Sequence, residues 1–392
     1  MSIPRKYGTP TGFSIPVSYF QSAANTKKYV DDSLEANWIT MGPVEHRFAR
    51  ELAIAHQCKH AIVCNSGTAA LHMAMLAAGV GNHAAVIVPS LTYIATANAA
   101  HYCGAHVICA DVDPETWTMT RETAMEAFQI ALSLGYASRH IYIVPVHLYD
   151  CAAGVVSLSD TFGMDRVIVD ASHSAGRRAD KAAASTLSFY ASKVIASGEG
   201  GAVLTNDGTL AAKVSSLRGQ GALQSGIYFH TEVGYNYRMT DIAAGIGLSQ
   251  LEVLPEILEY RRAIASLYRE LLADKDVTFQ SVADLSAWTF PILLPSHVDA
   301  GSVASRLSFL GVETRPFFIP IHKQPAYAAT KGGTYHNSEL AVASDLAERG
   351  LLLPLHLNVS AADVAYIANA LTEAMEYVAA DPLAAKWRGE EA

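Results

Sequence analysis

The chain has 392 residues, of which 51% are hydrophobic and 17% charged, with a formal net charge of −9 at pH 7. That length is more than one hydrophobic core serves, so it predicts a large domain and a smaller one, and the composition excludes a disordered or coiled chain. The negative balance gives no electrostatic reason to bind nucleic acid or an anionic membrane surface.

The five cysteines are scattered, with no Cys-x-x-Cys pair. This argues against a zinc or disulfide framework and for buried free thiols in a reducing compartment. Behind the charges of Met1-Ser-Ile-Pro-Arg-Lys6 there is no apolar stretch, so no signal peptide is expected. The most apolar run, 84–93, is short, is interrupted by Pro89 and cannot span a bilayer. The expectation is a cytoplasmic protein with no metal, no nucleic acid and no membrane among its partners.

In chain order, a strand over 61–64 is followed by the turn Asn65-Ser66-Gly67-Thr68 and a helix over 69–78 with Leu71, Met75 and Ala78 on one face. A strand over 85–88 precedes a helix over 94–102. Strands over 106–110, 141–144, 166–169 and 202–205 continue the series. Strands alternating with helices are the α/β signature, and runs without polar alternation imply a mostly parallel sheet covered by helices on both faces. A long helical region over 240–272 leads into a small α+β unit with a strand at 288–294 and helices at 300–310 and 361–380. The expected division is a large domain over 1–255 and a small one over 256–392.

Ligands of parallel sheets sit beyond the C-terminal ends of the strands, and three such ends carry suggestive groups. At Asn65-Ser66-Gly67-Thr68, a glycine and a helix start together suit a phosphate; an ordinary N-cap by Ser66 or Thr68 is the plainer alternative. Asp170 ends an apolar strand, where a poorly solvated carboxylate wants a cation. A protonated pyridine nitrogen would serve, and a helix cap or metal ligand is the alternative. His173, three residues on, reaches the same place or is structural. Lys193 follows a short apolar strand containing Ser188 and precedes Ser197-Gly-Glu-Gly-Gly201. Partial desolvation there would lower its pKa and make it a nucleophile for Schiff-base chemistry, whereas a lone lysine is usually a solvated surface charge.

Eight segments in order carry a resemblance: Asn65-Ser-Gly-Thr-Ala-Ala-Leu71, Val88-Pro-Ser-Leu-Thr-Tyr-Ile-Ala-Thr96, Pro145-Val-His-Leu-Tyr149, Val169-Asp-Ala-Ser-His173, Ser188-Phe-Tyr-Ala-Ser-Lys193, Gly198-Glu-Gly-Gly-Ala202, Gly234-Tyr-Asn-Tyr-Arg-Met-Thr-Asp-Ile242 and Thr314-Arg-Pro-Phe-Phe318. Together they resemble the DegT/StrS family of nucleotide-sugar aminotransferases, over about residues 12–375. The resemblance implies the fold of a fold-type I pyridoxal 5'-phosphate (PLP) transferase. It implies Lys193 as the catalytic lysine that holds PLP as a Schiff base, Asp170 on the pyridine nitrogen, His173 near the ring hydroxyl and Tyr93 stacked on the ring. Gly67, Thr68 and Ser188 would hold the phosphate. Asn236 would reach the phosphate of a neighbouring subunit's cofactor, which implies a homodimer with shared active sites.

Asp113-Pro-Glu-Thr-Trp117, the 193–201 and 234–242 stretches and Arg315-Pro-Phe-Phe318 look most like the GDP-perosamine synthase branch. That implies L-glutamate as donor and amination at C4 of GDP-4-keto-6-deoxymannose. The chain also departs from the pattern. Asn82-His83 stands where Gly-Asp is usual, and Asp150-Cys-Ala-Ala-Gly154 replaces a Gly-x-Pro-x-Asp stretch. The spacer from Asp170 to Lys193 is shortened, and His173 resembles the UDP-sugar enzymes instead.

Arg238 and Arg315 are candidates to clamp the glutamate carboxylate or the sugar diphosphate, or to form structural ion pairs. His322 is a further substrate-binding candidate; His147, His322 and His356 lie too far apart in sequence to argue for a metal. Three other functions are weaker. A related dehydratase has histidine at the lysine position, a non-catalytic PLP-binding regulator would need an assay to exclude, and a Rossmann dehydrogenase lacks its Gly-x-Gly-x-x-Gly turn.

Overall fold

The computed structural model describes residues 13–149, 151–222, 228–281, 288–328 and 340–380. Asp150 of the unusual 150–154 stretch, and residues 1–12 with their leader reading, lie outside the described residues.

The larger sheet is built from β1 (His60–Cys64), β2 (Ala85–Pro89), β3 (His106–Ala110), β4 (Ile141–Ile143), β5 (Ile168–Asp170), β6 (Ala184–Ser188) and β7 (Gly201–Thr205). β3, β2 and β4 run parallel in that order, and β5 runs parallel to β6. Parallel bridges from Ile143 to Val167 and from Val146 to Asp170 join the β4 side to β5. β7 is antiparallel to both β6 and β1. The sheet is therefore α/β and mostly parallel, and β7 is the reversed strand among the described residues.

Every residue of β2, β4, β5 and β7 is buried, which is why these runs show no polar alternation. Within β2, Val86 and Val88 pack on one face with Leu71, Met73 and Met75 of the helix Gly67–Ala77. Ala85 and Ile87 face the other core with Phe48, Leu52 and Leu248. Two-residue alternation thus reads as two cores rather than as core and solvent.

The second sheet has β8 (Thr278–Phe279), β9 (Phe290–Leu293), β10 (Arg315–Pro316) and β11 (Gly350–Leu353) in the order β10-β11-β9-β8, all antiparallel. Helices Leu254–Leu271, Ala300–Phe309 and Ala361–Ala380 supply its core through Ile264, Tyr268, Val303, Leu307, Ile367 and Leu371. Ile15 packs in this core too and bridges to Val312, although the sequence places it in the larger unit.

Two elements differ from expectation. The region 240–272 is two helices, Asp241–Glu252 and Leu254–Leu271, divided at Val253. Pro255 sits in the first turn of the second helix, where its missing N–H costs nothing but where it cannot continue a preceding helix. The strand expected from 288 begins at Phe290, because Trp288 turns to the wall of the site described below. No helix among the described residues is long and apolar enough to cross a membrane.

Candidate active site

A cavity of about 760 Å³ opens at the C-terminal ends of β5 and β6, between the two sheets. Three strand ends and β10 supply its chemistry.

One corner lies at the start of the helix Gly67–Ala77. Ser66 is the N-cap, and its hydroxyl accepts the Ala69 N–H at 3.1 Å. The two readings of this turn therefore coexist: Ser66 caps, while Gly67 and Thr68 line the cavity at the positive end of the helix dipole. Ser188, the last residue of β6, faces them. A Cβ on Gly67 would lie 2.8 Å from the Ser188 Cβ, so the backbone approaches as closely as only glycine permits. Gly201 has the same role behind the corner, since a Cβ there would lie 2.4 Å from the Ser66 carbonyl oxygen.

Asp170 ends β5 and is buried. Its Oδ2 accepts from the Thr96 hydroxyl at 2.8 Å, and its Oδ1 from the Ser172 N–H at 3.1 Å. Its backbone is pinned on both sides, N–H to Pro145 O at 2.9 Å and O from the His147 N–H at 3.0 Å. Both of these donors, a hydroxyl and a backbone N–H, are neutral. A buried carboxylate held this way still favours a cation in the cavity, as a protonated pyridine nitrogen would be.

Lys193 follows a turn closed by its own N–H donating to Tyr190 O at 2.8 Å. Its Nζ lies 4.1 Å from the centroid of the Trp288 ring. Burial pulls its pKa down from the ordinary 10.5 to about 7, against the opposing pull of Asp170. A lysine in that range is partly neutral at neutral pH, as a Schiff-base nucleophile must be.

His173 is buried, and its Nδ1 accepts the Tyr149 N–H at 3.1 Å. A nitrogen that accepts carries no proton, so the neutral ring holds its proton on Nε2. Burial, with Lys193 and His147 adding to it, keeps this imidazole well below its ordinary range and hence uncharged. Its ring stacks on Trp288 with centroids 3.8 Å apart at 25°. Tyr149 occupies left-handed backbone (φ 55°), an uncommon conformation for a tyrosine, and its hydroxyl accepts the Phe318 N–H at 3.2 Å. The His-Leu-Tyr segment so ties His173 to the second sheet. His147 itself lies in the core, with Nε2 toward Asp180 Oδ2 at 3.0 Å and Nδ1 accepting from Ala153 N–H at 3.1 Å.

Of the residues singled out in the sequence, Gly67, Thr68, Tyr93, Asp170, His173, Ser188, Lys193 and Arg315 line this one cavity. Tyr93 is 56% exposed, with its ring 5.5 Å from that of Phe318. Arg315 stands at the mouth, paired with the buried Glu313 at 2.7 Å. Three residues lie outside the lining. Asn236 is exposed, and its carbonyl oxygen accepts from Asn65 Nδ2 at 3.4 Å. Arg238 is half-buried. His322 meets the Ser90 hydroxyl at 2.6 Å and the Ser344 hydroxyl at 3.3 Å. Sequence reasoning missed Thr96, Tyr149 and Trp288. The first two lie in quoted motifs, but Trp288 lies in none.

These residues fit PLP. A glycine cradle suits the phosphate, a buried carboxylate suits the ring nitrogen, and a lysine of depressed pKa suits the aldehyde.

Comparison with known proteins agrees. The sequence model of the DegT/DnrJ/EryC1/StrS aminotransferase family matches residues 21–372. GDP-perosamine synthase of Caulobacter vibrioides is 36% identical over 367 residues, covering 90% of this chain and 95% of that protein. GDP-perosamine synthase of Escherichia coli O157:H7 is 32% identical, covering 92% and 98%. The crystal structure of a DegT DnrJ EryC1 StrS aminotransferase from Brucella abortus superposes with a TM-score of 0.82 at 26% identity, covering 90% of this chain and 95% of that one.

Proposed function

The chain belongs to the DegT/DnrJ/EryC1/StrS aminotransferase family and is a PLP-dependent sugar aminotransferase; from that premise we propose that it moves an amino group from L-glutamate to C4 of GDP-4-keto-6-deoxymannose, giving GDP-perosamine. The observation that carries the chemistry is Lys193, with its pKa near 7, in one cavity with the buried Asp170. What supports the sugar is the 36% and 32% identity to two GDP-perosamine synthases over nearly the whole chain.

Bound PLP supplies an electron sink for the carbanion chemistry of amino transfer. Asp170 would pair with the ring nitrogen and favour its protonated form, which sustains that sink. His173, neutral with its proton on Nε2, is a donor and not a second cation beside Lys193. Lys193 would hold the cofactor, and its amine would serve as the base that takes the proton from the donor's Cα and as the acid that gives it back. One group acts as base and then acid, which a pKa near working pH serves best. Gly67, Thr68 and Ser188 would hold the phosphate, and Tyr93 would pack on the ring. Arg315 at the mouth meets the donor carboxylate or the sugar diphosphate.

The family resemblance would put Asn236, which is exposed and outside its own cavity, at the phosphate of a second copy's cofactor, with a homodimer as the working unit. The large unit ends near residue 255. The enzyme would work in the cytoplasm, in keeping with five cysteines that form no disulfide, on a route to a cell-surface polysaccharide such as O-antigen.

His173 favours a second reading, a UDP- or dTDP-linked ketosugar aminated at C3 or C4, and a non-catalytic PLP-binding regulator is the alternative of another class. The test is incubation of purified protein, PLP and L-glutamate with GDP-, UDP- and dTDP-linked 4-keto-6-deoxysugars, with products read by mass spectrometry. Amination of the GDP sugar alone is expected. Amination of a UDP or dTDP sugar alone overturns the nucleotide, and turnover of none overturns the aminotransferase assignment of this substrate class.

A further inference from the structure

We propose that Trp288 is the positioning residue of this site: its indole holds the Lys193 amine and the His173 ring in place and screens the amine from water. The inference rests on the reading of Lys193 as the cofactor-binding lysine.

Three contacts converge on this one side chain. The ring centroid is 4.1 Å from Lys193 Nζ and 3.8 Å from the His173 centroid. The indole N–H donates to the carbonyl of Ser192 at 2.9 Å, which fixes the backbone immediately before the lysine. Trp288 is itself held from behind. Its carbonyl accepts from Arg261 Nη1 at 3.1 Å, and the same nitrogen donates to Leu355 O at 2.9 Å. Arg261 is buried in the helix Leu254–Leu271, so the wall reaches back to the second sheet.

The ring exerts two opposing effects on the amine. An aromatic face attracts an ammonium and favours the charged form. The same ring excludes water and favours the neutral form. Burial as a whole sets the direction at Lys193, against the pull of Asp170, and the Trp288 ring at 4.1 Å is part of what buries the amine. Replacing the indole by a small side chain admits water, and the amine then returns toward ordinary lysine behaviour.

The test uses cofactor-free protein. Trace acetylation of Lys193 by acetic anhydride, followed by peptide mass spectrometry across pH, reads the midpoint at which the amine becomes reactive. The wild-type midpoint is expected at about 7. In Trp288→Ala it rises by about one unit or more, and in Trp288→Phe, which retains an aromatic screen, it stays within about half a unit. If circular dichroism shows that Trp288→Ala does not fold, Trp288→Leu takes its place, with a rise of about half a unit or more. An unchanged midpoint in the folded Ala or Leu variant overturns the role, as does a wild-type midpoint at the ordinary lysine value. The two readings fail separately: a wild-type protein that forms no visible band with PLP sinks Lys193 as the cofactor lysine, whatever Trp288 does to its amine.

Discussion

The Tyr149 N–H donates to Nδ1 of His173 at 3.1 Å, and the Tyr149 hydroxyl accepts the N–H of Phe318 at 3.2 Å. One residue in left-handed backbone thus links, through its N–H and its hydroxyl, a buried imidazole beside β5 to a segment that follows β10. Removing the hydroxyl leaves the Phe318 N–H without this acceptor. Tyr149→Phe is expected to lose about 1 kcal/mol in stability, measured by urea unfolding, and to lower activity without abolishing it.

Asp170 accepts from two neutral donors: an amide oxygen can take the Ser172 N–H in its place, and the Thr96 hydroxyl can turn to accept from the amide NH2. Asp170→Asn should therefore fold as the wild type does, with the same far-ultraviolet circular dichroism. It cannot hold a proton on a pyridine nitrogen by charge. The rate of the glutamate half-reaction is expected to fall by about a hundredfold or more, and a wild-type rate would remove Asp170 from the chemistry.

Lys193 carries a depressed pKa, which sets the sign of a stability effect. For a base whose folded-state pKa lies below its unfolded value, the unfolded chain binds more protons between the two. Stability of the cofactor-free protein from this group therefore rises from pH about 7 to about 10.5, and the penalty is full below about 7. Lys193→Met removes the penalty. It should be more stable than wild type by about 1–3 kcal/mol below pH about 7, with the advantage gone above pH about 10.5. Calorimetry across that range checks it.

Gly67 faces Ser188 with no room for a methyl group. Gly67→Ala should weaken PLP affinity by about tenfold or more while leaving the helix Gly67–Ala77 intact, since alanine is the better helix former. Equilibrium dialysis against PLP reads this directly. Unchanged affinity would place the phosphate elsewhere.

The residues legible from sequence are those whose signal is local. Gly67, Asp170 and Lys193 each stand at a strand end, where position alone suggests ligand contact. The wholly buried strands were legible because the cores on both faces erase polar alternation. What escaped depends on tertiary contacts. Thr96 gained meaning only when the parallel sheet brought it to Asp170, 74 positions away. Trp288 looked like the first residue of an apolar strand, and nothing nearby marks it as a partner of Lys193, 95 positions earlier in the numbering. The break at Val253 was available in principle, because Pro255 was visible inside a helical pattern and proline ends the helix before it. Arg238 and His322 were chosen for residue type, and the fold sets both outside the cavity lining.

The account stands on Lys193 as the lysine that binds PLP and exchanges it with an amino donor. The most direct measurement is the visible absorption spectrum of purified protein with PLP, before and after L-glutamate and then 2-oxoglutarate. The account predicts a band of lysine-bound cofactor that glutamate abolishes and 2-oxoglutarate restores, and that Lys193→Ala never forms. A band of the same kind in Lys193→Ala, or none in the wild type, would contradict it.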